Sequence, residues 1–150
     1  IGCGSYPYFL AHTAFKEKFA VDQLPMPKET ADRNRIEFFE LNLNAEPKLP
    51  FAAEYFEAVT LLAVVEHLNP ESMAALFREC HRVLKPGGSC IVMSGQMYIP
   101  EVVQRLGEHL KYHWLLSYLT PGGQAVQVFP RKVNTFWKPL LWFTKGDYSR

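Results

Sequence analysis

Apolar residues at spacings of three and four pick out one helix clearly. Met73, Leu76, Phe77, Cys80, Val83 and Leu84 form a single stripe between Asn69 and Pro86. Asn69 suits the cap position and Pro70 the first turn. Arg78, Arg82 and Lys85 approach the negative end of the helix dipole, and Pro86-Gly87-Gly88 stops the helix. A second amphipathic helix opens at Pro100, with Val103, Leu106 and Leu110 on one side. Residues from Tyr8 to Phe19 also have helical character, with Pro7 at the first helical position.

Short apolar runs predict strands at Phe19–Asp22, Ile36–Leu41, Ala58–Val64 and Cys90–Met93. The run from Ala58 to Val64 is almost unbroken, as expected of a strand covered on both faces. Tyr112 to Leu119 and Leu140 to Lys145 read as later strands, with a turn at Thr120-Pro121-Gly122-Gly123 and a further strand at Ala125–Phe129. Residues 24–35 are polar and hold Pro25 and Pro27, so they read as loop; Pro47 and Pro50 mark another. Ile1 to Ser5 reads as the end of a buried strand entering a glycine turn, with the first strand expected to be truncated. Strands alternating with helices favour an α/β domain with a mainly parallel sheet, because parallel neighbours need crossover connections.

Composition changes this picture little. The chain has 150 residues, 48% hydrophobic and 21% charged, which fits one soluble globular domain. No apolar run reaches the roughly 20 residues that span a bilayer, and no signal segment is evident, so a cytoplasmic protein is expected. Cys3, Cys80 and Cys90 are an odd set without scaffold spacing and read as reduced thiols. His109 and His113 stand at i, i+4, but Gly107 and the lack of a nearby acid make them exposed helix-end histidines; no metal is expected. The charge is uneven: residues 1–100 carry 9 Lys/Arg against 12 Asp/Glu, a balance of −3, and residues 101–150 carry 7 against 3, a balance of +4. The basic part is either a solvated rim or a surface for an acidic partner such as nucleic acid.

Candidate chemistry lies near the start. Gly2-Cys3-Gly4-Ser5 follows a strand end, where glycines let the backbone approach a ligand closely. Asp22 ends the next strand 18 residues after Gly4, where an acid can accept hydrogen bonds from a ribose diol. Together they point to an adenosine-containing ligand, although Tyr6 stands where a third glycine of a dinucleotide fingerprint could fall.

Five pieces in order carry a resemblance: Ile-Gly-Cys-Gly-Ser at 1–5, Leu-Pro-Phe at 49–51, Phe-Glu-Ala-Val at 56–59, Val-Val-Glu-His-Leu at 64–68 and Val-Leu-Lys-Pro-Gly-Gly at 83–88. Over residues 1–95 the chain resembles class I S-adenosylmethionine-dependent methyltransferases. The resemblance implies a Rossmann-like fold with helices on both faces and a C-terminal antiparallel strand pair. It implies that Gly2, Cys3 and Gly4 line the methionine end of S-adenosylmethionine, that Asp22 holds its ribose, and that Asn42 and Leu43 flank its adenine. Many relatives carry Asp where Asn42 stands. Leu62 to Glu66 would line the floor beside the sulfonium, and Glu66 and His67 are candidates for catalysis or for shaping the cofactor site.

Residues 96–146 resemble phage- and plasmid-type DNA adenine methylases, through the pieces at 95–102, 112–114, 118–124 and 131–143. This implies that Arg131 and Lys132 meet phosphates and that Phe136 or Trp137 stacks on a base, unless these rings and Trp142 are core aromatics. DNA adenine methylases carry an Asp- or Asn-Pro-Pro-aromatic tetrapeptide where this chain has Glu66-His67-Leu68-Asn69-Pro70. The readings are therefore a methyltransferase with DNA as acceptor, one with a small-molecule acceptor, or a non-catalytic binding fragment. A single domain is expected, residues 1–95 forming its cofactor-binding half and 96–150 its substrate-side half. A truncated first strand would leave unpaired edges and invite self-association.

Overall fold

A computed structural model describes residues 1–119, 126–128, 133–135 and 137–146. Strand β1 (Phe19–Asp22) pairs in parallel with β2 (Glu37–Glu40), Phe19 lying opposite Glu37 and Asp22 opposite Glu40. Parallel neighbours cannot be joined by a tight turn. The connection carries α2 (Lys28–Asn34), a helix where the sequence pattern reads as loop. It lacks an apolar stripe, since Ala31 alone is buried, and Arg35 ends it in the left-handed conformation at φ 54°. The reverse holds upstream. Helix α1 spans only Tyr8–Ala11 and buries no residue, so nothing holds the rest of the expected 8–19 helix in place.

Strand β3 (Phe56–Leu62) pairs in parallel with β4 (Leu84–Met93), Val59 opposite Cys90 and Leu61 opposite Val92. The sheet continues through antiparallel pairing to β8 (Trp137–Thr144) and then β5 (Lys111–Leu119), in the order β3-β4-β8-β5. Strands β6 (Val126–Val128) and β7 (Val133–Thr135) pair with each other, β7 being an addition to the expected set. The expected α/β architecture is present, with parallel strands first and antiparallel strands at the C-terminal side.

Alternation in β1 and β2 sends neighbouring side chains to opposite faces. Ala20 and Phe38 pack with Met26, Ala31 and Ile36 on the α2 side. Val21 and Phe39 pack with α3 (Pro70–Val83), whose Met73, Leu76, Phe77, Cys80 and Val83 are buried. Helices therefore cover both faces. The expected cap is present: Asn69 Oδ1 accepts from the Ser72 N–H at 2.8 Å. Helix α4 (Ile99–Gly107) buries Val102 and Leu106. Because it ends at Gly107, His109 and His113 share no helical face: His113 lies in β5 with Nε2 2.8 Å from Thr144 Oγ1. Among the described residues no group of His, Cys, Asp and Glu could hold a metal ion, and no helix is long and apolar enough to cross a membrane. Cys3, Cys80 and Cys90 are free thiols, and Trp142 and Phe143 lie in β8 against the core strands, Phe143 fully buried.

One charged cluster fastens the loop before β3 to α3. Arg82 donates to both Glu79 oxygens, to the Phe51 carbonyl at 2.8 Å and to the Leu49 carbonyl at 3.0 Å. Glu79 Oε2 also accepts from the Leu49 N–H at 2.8 Å. The Arg82 hydrogen bond holds the Glu79 carboxyl below its ordinary range. A depressed folded value stabilises the protein above the unfolded value, and that contribution is lost as pH falls below about 4. Arg82→Ala should cost about 1–3 kcal/mol in urea unfolding at pH 7 by orphaning these carbonyls and Glu79. Glu79→Gln should be less stable than the parent at pH 7, and the difference should shrink between pH 5 and 3. A constant difference across that window would assign the effect to packing alone.

Candidate functional site

Two residues stand between β1 and β3. The Ile1 amino group donates to the Thr60 carbonyl at 2.8 Å, and the Ile1 carbonyl accepts from the Leu62 N–H at 3.1 Å. The next N–H, that of Gly2, turns the other way and donates to the Val21 carbonyl at 3.0 Å. Gly2 has φ 76°, and a Cβ there would lie 2.3 Å from Val64 Cγ2 and 2.6 Å from the Leu62 carbonyl oxygen. Glycine is thus required at this position for space as well as for conformation.

The chain then turns so that the Gly4 N–H donates to Asp22 Oδ2 at 2.8 Å, while Asp22 Oδ1 accepts from the Leu24 N–H at 2.9 Å. The acid ending β1 therefore holds the glycine loop in place. A carboxylate offers about four lone-pair positions, so these two bonds leave acceptor capacity for a ligand hydroxyl.

A cavity of about 90 Å³ lies at the C-terminal ends of β1, β2 and β3. Open α/β sheets bind their ligands at this end. Its lining includes Gly2, Asp22, Asn42, Leu43, Val64 and His67. Four of the residues expected to hold a cofactor, Gly2, Asp22, Asn42 and Leu43, are thus brought together, although they are spread over 42 positions of sequence. Gly4 lies beside them through its bond to Asp22. Cys3 and Leu62 instead line a larger cavity of about 670 Å³ between β1 and β3. Burial pushes the Cys3 thiol up, so it stays protonated at neutral pH.

Asn42 uses its side-chain oxygen locally, accepting from the Asn44 N–H at 3.0 Å. Asn44 is the residue that sequence reasoning missed. Its amide donates to the His67 carbonyl at 2.9 Å and accepts from the Asn69 N–H at 2.9 Å, and its carbonyl accepts from Ser72 Oγ at 3.2 Å. This clasps the loop after β2 to the turn and helix after β3, closing one wall of the cavity. The partners lie 23 to 28 residues away, so no local pattern marks Asn44. Ala63 belongs to the floor segment expected from Leu62 to Glu66. It stands at the cavity wall with φ 53°, a conformation a non-glycine residue rarely adopts.

Glu66 and His67 follow on a 3₁₀ turn, Val65–His67. His67 is exposed and lines the cavity. Glu66 Oε2 is buried without a hydrogen-bond partner among the described residues. An orphaned buried acceptor carries a desolvation cost that a ligand N–H or O–H would relieve. Arg131, Lys132 and Phe136 lie outside the described residues, as does the side chain of Trp137.

Comparison with known proteins bears on the same region. A family model described as methyltransferase domain matches residues 1–92. The N-methyltransferase NodS from Bradyrhizobium japonicum WM9 is similar in structure, with a TM-score of 0.71 and 16% identity over 97% of this chain and 83% of that one. The 1,6-didemethyltoxoflavin-N1-methyltransferase of Burkholderia thailandensis, solved with 1,6-didemethyltoxoflavin and S-adenosylhomocysteine, gives a TM-score of 0.60 and 14% identity over 86% of this chain and 61% of that one. No curated protein matches the chain.

Gly2→Ala and Gly4→Ala separate space from conformation. A Cβ on Gly4 would meet nothing within 4 Å, so Gly4→Ala bears only the left-handed strain of about 1–2 kcal/mol. Gly2→Ala adds the clash with Val64 and the Leu62 carbonyl and should cost about 2–5 kcal/mol in urea unfolding. Equal losses for the two variants would show that the Gly2 contact is slack.

Proposed function

Because the chain belongs to the methyltransferase domain family and takes S-adenosylmethionine as its methyl donor, we propose that the cavity at the ends of β1, β2 and β3 holds the adenosine part of that donor and that the acceptor is a small molecule with a nucleophilic nitrogen. The observation that carries the first part is the Asp22–Gly4 bond beside the close approach of Gly2 to Val64. It puts a glycine cradle and a partly free carboxylate at one strand end. Asp22 would accept from the ribose hydroxyls, Leu43 and the Asn42 turn would flank the adenine, and the Gly2–Gly4 backbone would pass along the methionine end. When bound, the donor supplies an electrophilic methyl on a sulfonium. What remains for the protein is to align the acceptor in line, exclude water and hold the proton that the acceptor gives up.

Glu66 is the candidate for that last task, with its buried oxygen free of protein partners among the described residues. The small-molecule reading is supported by the names of two structural neighbours, both N-methyltransferases, and by Glu66-His67-Leu68-Asn69-Pro70 standing where a DNA adenine methylase carries its Pro-Pro tetrapeptide. Residues 1–95 then form the cofactor-binding half of the domain and residues 96–150 its substrate side. One observation favours a second reading, DNA adenine as acceptor: the Arg131–Phe143 resemblance together with the +4 balance of residues 101–150.

Calorimetric titration with S-adenosylhomocysteine tests the donor site. Micromolar binding is expected, and Asp22→Ala should weaken it about 10- to 100-fold, the worth of one or two bonds to a charged acceptor. Unchanged affinity would place the site elsewhere. Transfer of labelled methyl to pools of amines and nitrogen heterocycles, set against duplex DNA, tests the acceptor. Label in small molecules, with Glu66→Gln lowering kcat for methyl transfer while leaving donor affinity unchanged, is the expected result. Label in DNA, with affinity falling steeply as salt rises, would establish the second reading instead.

A further inference from the structure

The loop after β2 brings Asn42, Leu43 and Asn44 to the wall of the 90 Å³ cavity. An asparagine side chain offers one acceptor atom and one donor atom, so which of them stays free decides what the wall can recognise. Here the acceptors are turned into the loop and its clasp. Asn42 Oδ1 accepts from the Asn44 N–H at 3.0 Å, and the Asn42 carbonyl accepts from the Ala45 and Glu46 N–H groups at 3.0 and 2.8 Å. Asn44 Oδ1 accepts from the Asn69 N–H at 2.9 Å, and the Asn44 carbonyl accepts from Ser72 Oγ at 3.2 Å. The partner fixes the orientation of the Asn42 amide: a backbone N–H can only donate, so the atom it meets is the oxygen. Nδ2 lies on the far side of the carboxamide and has no acceptor among the described residues. The Leu43 N–H has none either. Asn44 Nδ2 is spent on the His67 carbonyl. What Asn42 and Leu43 leave unused at this wall is therefore a pair of donors.

We propose that this wall reads the ring nitrogens of the donor's purine and is indifferent to its 6-amino group, with Asn42 as the residue that sets this selectivity. The selectivity rests on the adenosine reading of the same cavity given above. Adenine accepts hydrogen bonds at its ring nitrogens and donates them from its 6-amino group. A donor such as Asn42 Nδ2 pairs with a ring nitrogen. It has nothing to accept an amino N–H with. A site discriminates strongly against a missing group only when the loss leaves one of its own buried polar atoms unpaired. Removing the 6-amino group leaves no atom of this wall unpaired.

Exposure works in the same direction. Asn42 and Asn44 are both exposed, so an amino group held beside them keeps its water. The other polar side chains along the cavity do not restore the selectivity. Asp22 is committed to the Gly4 and Leu24 N–H groups at the ribose end. Gln23 and His67 are exposed, and each carries both a donor and an acceptor, so neither selects one kind of ring edge. An aspartate at position 42 would act differently. One carboxylate oxygen would keep the bond to the Asn44 N–H, and the other would stand where Nδ2 now stands and accept from the amino group.

The test is calorimetric titration of the whole 150-residue chain with two compounds, S-adenosylhomocysteine and its 6-deamino analogue, which has C–H where adenine has C–NH2. The parent should bind the two within about threefold of each other. Asn42→Asp, close in size and able to keep the Asn44 bond, should bind the adenine compound about tenfold or more tightly than the analogue, the worth of a hydrogen bond to a charged acceptor. Asn42→Ala should weaken both compounds by the same factor. Melting temperatures of the variants without ligand establish that each is folded. A tenfold or larger preference of the parent for S-adenosylhomocysteine would overturn the proposed selectivity and leave the donor site standing. No gain in preference from Asn42→Asp, or unchanged binding of both compounds by Asn42→Ala, would take Asn42 away from the ring and overturn it as well. Failure of the folded parent to bind either compound would instead overturn the adenosine reading of the cavity, and this selectivity with it.

Discussion

The close approach of Gly2 to the end of β3 is the contact on which the rest of this structure depends. The strands form two separate sets, β1 with β2 and β3 with β4, β8 and β5. Ile1 and Gly2 link the two by hydrogen bonds, through Thr60 and Leu62 on one side and Val21 on the other. The link exists because Gly2 has no side chain. Even a methyl group would overlap Val64 and the Leu62 carbonyl. After Gly2 the chain turns and brings the Gly4 N–H to the end of β1, where Asp22 accepts it. Steric, hydrogen-bonding and electrostatic demands thus converge on four residues of backbone, and the candidate donor site is what they leave open.

The opposite wall is built by polar side chains rather than by a strand ladder. Asn44 reaches across to the His67 carbonyl and the Asn69 N–H, and Asn69 in turn caps α3. Each such bond is worth only about 1 kcal/mol net. Together they tie the loop after β2, the turn after β3 and the start of the best-packed helix into one piece. At the far end of α3, Glu79 and Arg82 do the same for residues 49–51. Helix α3 is held at both ends by loops that border the two cavities, so its apolar stripe supports the site as well as the core.

The two cavities differ in chemistry as they differ in place. The smaller is bordered by Asp22, Asn42, Asn44 and His67 at the end where strands present their termini. The larger is walled by strand backbone and phenylalanine rings. Gly2 lines both.

Where a feature depends on residues within a turn or two of one another, the sequence was sufficient. The stripe of α3, its Asn69 cap, the runs of β1 and β2 and the glycine turn were legible, because period, capping and steric demand are local properties, whereas β4 begins at Leu84, where the pattern reads as the end of the helix and its stop. Helix α2 was not legible, because its existence follows from the parallel pairing of β1 with β2 and not from its own apolar content. Nor was the shortness of α1, the separation of His109 from His113, or the role of Asn44, each decided by what packs or bonds from elsewhere in the chain. The division has one physical cause. Conformational preference is written in neighbours along the chain, whereas a cavity is written in neighbours across space, and only folding brings Gly4 to Asp22.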